Sequence, residues 1–449
     1  MQGLDAYVKK GQEVTDRLNK RRKEIRAKKF DTIAVHGVYS MHEAMSNHGS
    51  IIEPIYTSTA EHFDNSDHLE AALAYMIPAW GYTRIANPSL HYMEQTMALL
   101  ESYGFDGDAD ATATSSGMAA IHMATNPFLN HEYGKKMNIV ASGNCYGGTF
   151  MLFGERYGKE KSVEIRWIRD NLDLDEWKNA IDENTRFVFT EMPSNPGIAI
   201  ADLEALANLA HSHEIPLIID STLMSPALMR PLKHGADIVV HSVSKIMNAT
   251  GMSIAGVLVA KHGIVSKHLA EEAKANFAIW VKGLPSRDFG PALSPFNAIM
   301  ILNDLRSLRS RANQMSKSAL KVAKFLEAHP NVDTVNYPGL ASNRGHEIAK
   351  KYMKLADSDK NRYGYLMGFT VKGGAQAARK VFDKFEMIWR ATDLGRVKTV
   401  ATIPAISTHQ QQGEEGRELA SIPGNLIRLA IGLEHPQDII ADLSQALKL

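Results

Sequence analysis

The sequence predicts an α/β protein: a seven-stranded, mostly parallel sheet covered by helices, followed by a smaller α+β unit. Three observations lead there. From about residue 81, short β-rich runs alternate with helical stretches, the pattern of parallel strands joined by crossover helices. After Lys282-Gly283-Leu284-Pro285 the pattern changes to one long helix and a few separated strands. Asp220, Ser242 and Lys245 fall at or just past the ends of apolar runs, where open α/β sheets hold their ligands.

The elements read in order as follows. Residues 1–80 stand apart as an N-terminal arm. Lys9 to Lys29 is dense in Lys, Arg and Glu with few apolar residues, so it reads as a solvated helix. Residues 30–80 carry turn formers and isolated hydrophobes and are expected to wrap a neighbouring subunit. A large domain spans residues 81–285, with strands at 111–114, 138–142, 164–168, 186–191, 216–220, 236–242 and 254–260. Residues 203–213 form a helix between two of them, with Asp202 placed to cap its start. The C-terminal α+β domain, 286–449, opens with one long helix from Pro295 to Ala328 that stops before Pro330. Its strands lie near 332–337, 365–371 and 426–432.

Bulk composition excludes several classes. The chain has 449 residues, 44% of them hydrophobic, enough to bury a large core. Its 50 basic and 50 acidic residues leave no net field to draw nucleic acid or a membrane surface. Acids interrupt the basic run near the N-terminus, and no aromatic residues lie among them to stack on bases. No apolar stretch approaches the roughly 20 residues of a membrane span. Met1 to Asp5 lacks an apolar signal core, so no secretory signal is expected. The one cysteine, Cys145, allows no intrachain disulfide and fits a cytoplasmic location. His36, His42, His48, His211 and His213 lack metal-ligand spacing, so no metal is expected.

The chemistry is carried by an amine and a carboxylate at the ends of buried strands. Lys245 and Asp220 are costly there unless something uses both. Pyridoxal phosphate would: its aldehyde takes a lysine amine as a Schiff base, and its ring nitrogen takes an acid partner. Ser242 and Ser244, just before the lysine, can donate to phosphate oxygens. Ser116-Gly117-Met118 ends a strand and opens a helix, where backbone N–H groups point at an anion. Tyr146, before Gly147-Gly148, can stack on a flat ring. Asn195 can donate to the ring oxygen, and Thr222 can touch the ring face. Cys145 reads as a packed thiol. Arg428, inside an apolar alternation, fits either a substrate carboxylate or a structural ion pair.

Taken together, these stretches resemble the Cys/Met-metabolism family of pyridoxal-phosphate enzymes. The motifs that carry the likeness are Tyr82-Thr83-Arg84-Ile85-Ala86-Asn87-Pro88, Ser115 to Ala120, Tyr146 to Thr149, Asp220-Ser221-Thr222, His241 to Lys245, and Arg428 to Glu434. The resemblance runs from about residue 50 to the C-terminus. It implies fold-type I architecture, as in aspartate aminotransferase. It implies Lys245 as the Schiff-base lysine, Asp220 as the pyridinium partner, Tyr146 as the stacking ring and Arg428 on the carboxylate of a small amino-acid substrate. It also implies a homo-oligomer, a dimer of dimers, in which Tyr82 and Arg84 reach the phosphate of the neighbouring active site. Gly290 to Ala298 and Val335 to Leu340 are most similar to O-acetylhomoserine sulfhydrylases. That implies γ-replacement on an activated homoserine with sulfide or a thiol. A γ-lyase acting on cystathionine, methionine or a basic γ-substituted amino acid is the alternative, and a non-catalytic pyridoxal-phosphate-binding protein the third reading.

The sequence departs from the family in three places. The usual Ser-Leu-Gly is Asp393-Leu394-Gly395, which is expected to turn its acid toward a cationic group of the substrate. A usual acid is Lys398 and a usual Glu is Arg306, expected together as an exchanged ion pair.

Overall fold

The computed structural model describes residues 3–130 and 136–448. Seven strands form the first sheet: β1 (Ala109–Thr114), β2 (Asn138–Ser142), β3 (Glu164–Ile168), β4 (Thr185–Glu191), β5 (Leu217–Asp220), β6 (Ile238–His241) and β7 (Gly256–Lys261). Their order is β1-β7-β6-β5-β4-β2-β3. β2 to β6 pair in parallel, and β7 runs antiparallel to both β6 and β1. The strands are short and, apart from the partly exposed edge strand β3, buried, as a helix-covered parallel sheet requires. Six of the seven therefore end at one edge, which delivers Glu191, Asp220 and the 242–245 loop to the same place. Asp202 caps the Leu203–Ser212 helix by accepting the Ala205 amide at 3.2 Å.

The second sheet has five strands: β8 (Val332–Asn336), β9 (Leu366–Val371), β10 (Trp389–Arg390), β11 (Val400–Thr402) and β12 (Leu426–Ala430), in the order β10-β11-β12-β9-β8. It has its own apolar cluster, with Phe369, Ile427 and Leu443 buried together. β10 and β11 are two and three residues long, too short for any periodicity to announce them.

One expected helix is two. Pro295–Leu305 and Leu308–Ala328 are separated at Arg306-Ser307. Arg311 donates to the Asp304 carbonyl and to Ser307 Oγ, both at 2.9 Å, so a side chain satisfies a backbone acceptor that the break frees.

The N-terminal segment is helical over Leu4–Arg26, as the charge pattern suggests. It is also tied down. Arg22 pairs with Asp110 at 2.5 Å, and Ile25, Phe30, Ile33 and Val38 enter the same apolar cluster as the first sheet. No described helix is long and apolar enough to cross a membrane.

Candidate active site

A cavity of about 490 Å³ lies at the carboxyl edge of the first sheet, closed from the other side by the second. Of the residues singled out from sequence, all except Tyr82 and Arg84 line it.

The first sheet supplies one end. Ser116 caps the Gly117–Thr125 helix by accepting the Ala119 amide at 3.1 Å, which leaves the first amides of the helix without intrahelical acceptors. Gly117 is needed for this turn: a Cβ there would stand 2.5 Å from the Ser242 Cβ. The start of the helix and the 242–245 loop are thus pressed together into one cradle. Ser242 donates its amide to Thr222 Oγ1 at 2.8 Å. Ser244 is engaged with Ala255, donating its hydroxyl to the carbonyl at 3.0 Å and accepting the amide at 2.9 Å.

Asp220 ends β5, buried, with Oδ1 accepting the Thr222 amide at 2.9 Å. Burial pushes its carboxyl above the ordinary range. Its register partner on β4 is Glu191, a second buried carboxyl. Burial first, and Asp220 second, push Glu191 well above its usual range. Glu191 Oε2 accepts the backbone amide of Tyr146, which precedes the Gly147–Met151 helix and lines the cavity. Cys145 beside it is buried, and burial pushes its thiol up, away from thiolate chemistry.

Lys245 lies just past β6, and its Nζ donates to Asp393 Oδ1 at 3.0 Å. Burial lowers the lysine below its ordinary value, with Asp393 opposing and Arg396 and Arg428 adding to the drop. Asp393 is held in turn by Arg396, whose Nε donates to Oδ2. Burial works against ionisation of Asp393, but Arg396 and Lys245 outweigh it and hold the carboxyl below the usual range. The sequence suggested that Asp393 turns toward a cationic group of the substrate. Two cations within the chain already meet it. Gly395 makes the approach possible: it has φ +73°, and a Cβ would stand 2.6 Å from the Ile246 amide nitrogen.

Arg428, on β12, is 2% exposed. Its Nη1 donates to Asn195 Oδ1 at 3.0 Å, and its Nη2 to the carbonyls of Thr392 and Asp393 at 2.9 and 3.0 Å. Its Nε is buried with no partner. Burial lowers the guanidinium to about 10. A structural ion pair does not account for this residue, because its partners are neutral oxygens.

Tyr82 and Arg84 lie elsewhere. The Arg84 guanidinium stacks 5.4 Å from the Tyr82 ring and donates to the Arg287 carbonyl, and both side chains are exposed. The exchanged ion pair is half right. Arg306 does meet an acid, buried Glu53, but Lys398 sits 4.2 Å over the Trp389 ring instead. Glu191 and Arg396 were not singled out from sequence. A lone Glu ending a strand and a lone Arg in a loop carry no signal until the fold sets them beside Asp220 and Asp393.

The donor set suits pyridoxal phosphate: a helix start for the phosphate, a buried carboxyl lacking an ion-pair partner among the described residues, and an amine between them. Comparison with known proteins decides the point. The sequence profile described as Cys/Met metabolism PLP-dependent enzyme matches residues 31–448. The chain belongs to that family. Its members depend on pyridoxal phosphate, and so does this enzyme. Among curated relatives, an O-acetyl-L-homoserine sulfhydrylase of Leptospira meyeri is 34% identical, covering 94% of this chain and 97% of its own. An L-methionine gamma-lyase of Fusobacterium nucleatum subsp. polymorphum is 37% identical, covering 89% and 94%. The crystal structure of a putative O-acetylhomoserine (thiol)-lyase from Campylobacter jejuni superposes with a TM-score of 0.83 at 36% identity, covering 94% of this chain and all of that one. That crystal structure carries an N'-pyridoxyl-lysine-5'-monophosphate. The fold is therefore the fold-type I architecture of this Cys/Met-metabolism family, with a mostly parallel seven-stranded sheet and a smaller second sheet.

Proposed function

We propose that this enzyme catalyses γ-replacement on an activated homoserine, taking O-acetylhomoserine and sulfide or a thiol, in methionine biosynthesis. One observation carries the choice of substrate. Asp393, the acid that suggested a basic substrate tail, is matched by Arg396 and Lys245, while Arg428 keeps an unpaired buried Nε for a carboxylate. The cavity then suits an amino acid with a neutral γ-substituent. Similarity to the sulfhydrylase over nearly the whole chain supports the same reading.

Bound pyridoxal phosphate supplies an aldehyde that links to the amino group and an electron-poor ring that takes up the electron pair left at Cα. The chain's residues do the rest. The amides of Gly117 and Met118, with Ser116 and Ser242, would hold the phosphate end, whereas the Ser244 hydroxyl is already donated to the Ala255 carbonyl. Asp220 would hold the ring nitrogen protonated, with Thr222 and Asn195 placed to meet the ring. Lys245 is the linking lysine. Because burial lowers it, more of the amine is neutral and able to take the Cα proton. Tyr146 would stack on the ring and give a proton to the departing γ-group. Arg428 binds the α-carboxylate.

Tyr82 and Arg84 belong to the same proposal as residues of a neighbouring subunit's site, in a dimer of dimers. Their exposure beside Leu73, Tyr75 and Met76, also exposed, supports it. The division into residues 1–80, 81–285 and 286–449 and a cytoplasmic location complete the assignment. The separate apolar cluster of the second sheet supports a distinct C-terminal domain, and a single buried cysteine supports the location.

Incubation with O-acetylhomoserine and sulfide tests the reading. Homocysteine is the expected product, and Lys245→Ala abolishes it. Release of 2-oxobutyrate without homocysteine would make the enzyme a γ-lyase, the reading favoured by the methionine gamma-lyase relative. A yellow protein inert toward every γ-substituted amino acid would overturn both.

A further inference from the structure

Asp393 stands where the family likeness leads one to expect a neutral serine, and it is held in a particular way. Arg396 reaches it through Nε, while its Nη1 donates to the carbonyls of Ser244 and Asn248, both at 2.7 Å. These carbonyls flank Lys245 in the chain. The guanidinium is thus fixed to the lysine's own loop and to Asp393 together, which sets Asp393 Oδ1 at 3.0 Å from Nζ. We propose that Asp393 and Arg396 form a charge clamp that keeps the proton taken from the substrate on the Lys245 nitrogen, with Asp393 as its positioning residue.

The proposal rests on the reading of Lys245 as the base. In that step the Cα–H bond breaks and an N–H bond forms on Nζ, while the electron pair stays on the substrate side. Lys245 passes from neutral amine to ammonium. It does so among cations: Arg396 in the same loop as Asp393, and Arg428 on β12. Across the cavity stand Asp220 at the end of β5, Glu191 at the end of β4, and Tyr146. Asp393 is the carboxylate in direct contact with the new charge. A serine hydroxyl could accept a hydrogen bond there but could not offset a full positive charge. Arg396 has the complementary task. By keeping Asp393 ionised it stops the carboxylate from taking the proton itself.

The test reads the lysine directly. Full-length protein freed of pyridoxal phosphate is acetylated with acetic anhydride across a pH series, and modification of Lys245 is followed by mass spectrometry. Removing an opposite charge at this range shifts an amine by about one pH unit or more. Asp393→Asn is therefore expected to make Lys245 reactive about one unit lower in pH, roughly tenfold more neutral amine at a given acidic pH. Asp393→Glu restores the parent profile. In the holoenzyme, Asp393→Asn lowers kcat about tenfold and leaves KM within about twofold, since the Arg428 contacts to substrate are untouched. If Asp393→Asn does not fold, Asp393→Ser carries the same expectation. An unmoved Lys245 profile in a folded variant overturns the clamp. A shifted profile in a protein that turns over no γ-substituted amino acid upholds the clamp and overturns the reaction proposed above.

Discussion

Glu191 Oε2 accepts the Tyr146 backbone amide at 2.7 Å from a strand position whose register partner is Asp220. Two buried carboxyls thus stand side by side, and only one is needed as an anion. Burial raises both carboxyls, and the neighbouring Asp220 raises Glu191 further. A carboxyl raised on folding contributes stability that is whole below its unfolded pKa, about 4.3, and is lost as pH climbs toward the folded value. Glu191→Gln keeps a carbonyl for the Tyr146 amide and removes the titration. Scanning calorimetry at pH 5 and pH 8 is expected to show the parent losing more thermal stability than the variant over that interval. Asp220 titrates in both proteins, and its repulsion of Glu191, lost in the variant, belongs to the same difference. Parallel losses would mean that Glu191 is already ionised.

Arg428 offers a test of geometry as distinct from charge. Its fork reaches Asn195 and two carbonyls at once, while its Nε has no partner. A lysine ammonium cannot reproduce that fork. Arg428→Lys is expected to raise KM about 10- to 100-fold, the loss of one charge-assisted contact of roughly 1.5–3 kcal/mol. Steady-state kinetics over a wide substrate range measures it. An unchanged KM would remove Arg428 from substrate binding.

Gly148 controls where the Tyr146 ring lies. A Cβ at this position would stand 2.6 Å from Tyr146 Cε1 and 3.0 Å from Met118 Sδ. Both neighbours are the ends of side chains, so Gly148→Cys displaces the ring and leaves the fold intact. Thermal stability is expected to change by less than about 1.5 kcal/mol. Homocysteine formation is expected to fall about tenfold, with a larger share of 2-oxobutyrate, as the ring over the reacting atoms moves. Parallel assays of both products report it.

Much of this molecule was legible because its sheet is buried on both faces. The segments of β5 and β6 stood out as apolar runs, and Asp220 and Lys245 were conspicuous as charges at their ends. What stayed hidden depends on distance in three dimensions. Arg396 lies more than a hundred residues from Lys245 in the chain, yet it donates to the carbonyls on either side of it. Glu191 closes a strand like many other residues, and its role comes from the register with β5. The break at Arg306-Ser307 depends on Arg311, four residues beyond Ser307, reaching back to a freed carbonyl. The anchoring of Ile25 and Phe30 escaped notice because sparse hydrophobes in a charged segment look solvated.

Asp220 and the helix start at Gly117 come from one sheet, whereas Arg428 and the Asp393–Arg396 loop come from the other. On the roles proposed above, the partners of the vitamin's ring and phosphate and the partner of the substrate carboxylate are thereby written in separate stretches of the gene. Exchanging residues 392–428 between related enzymes should redirect which amino acid is accepted while Asp220 and the helix start at Gly117 stay in place.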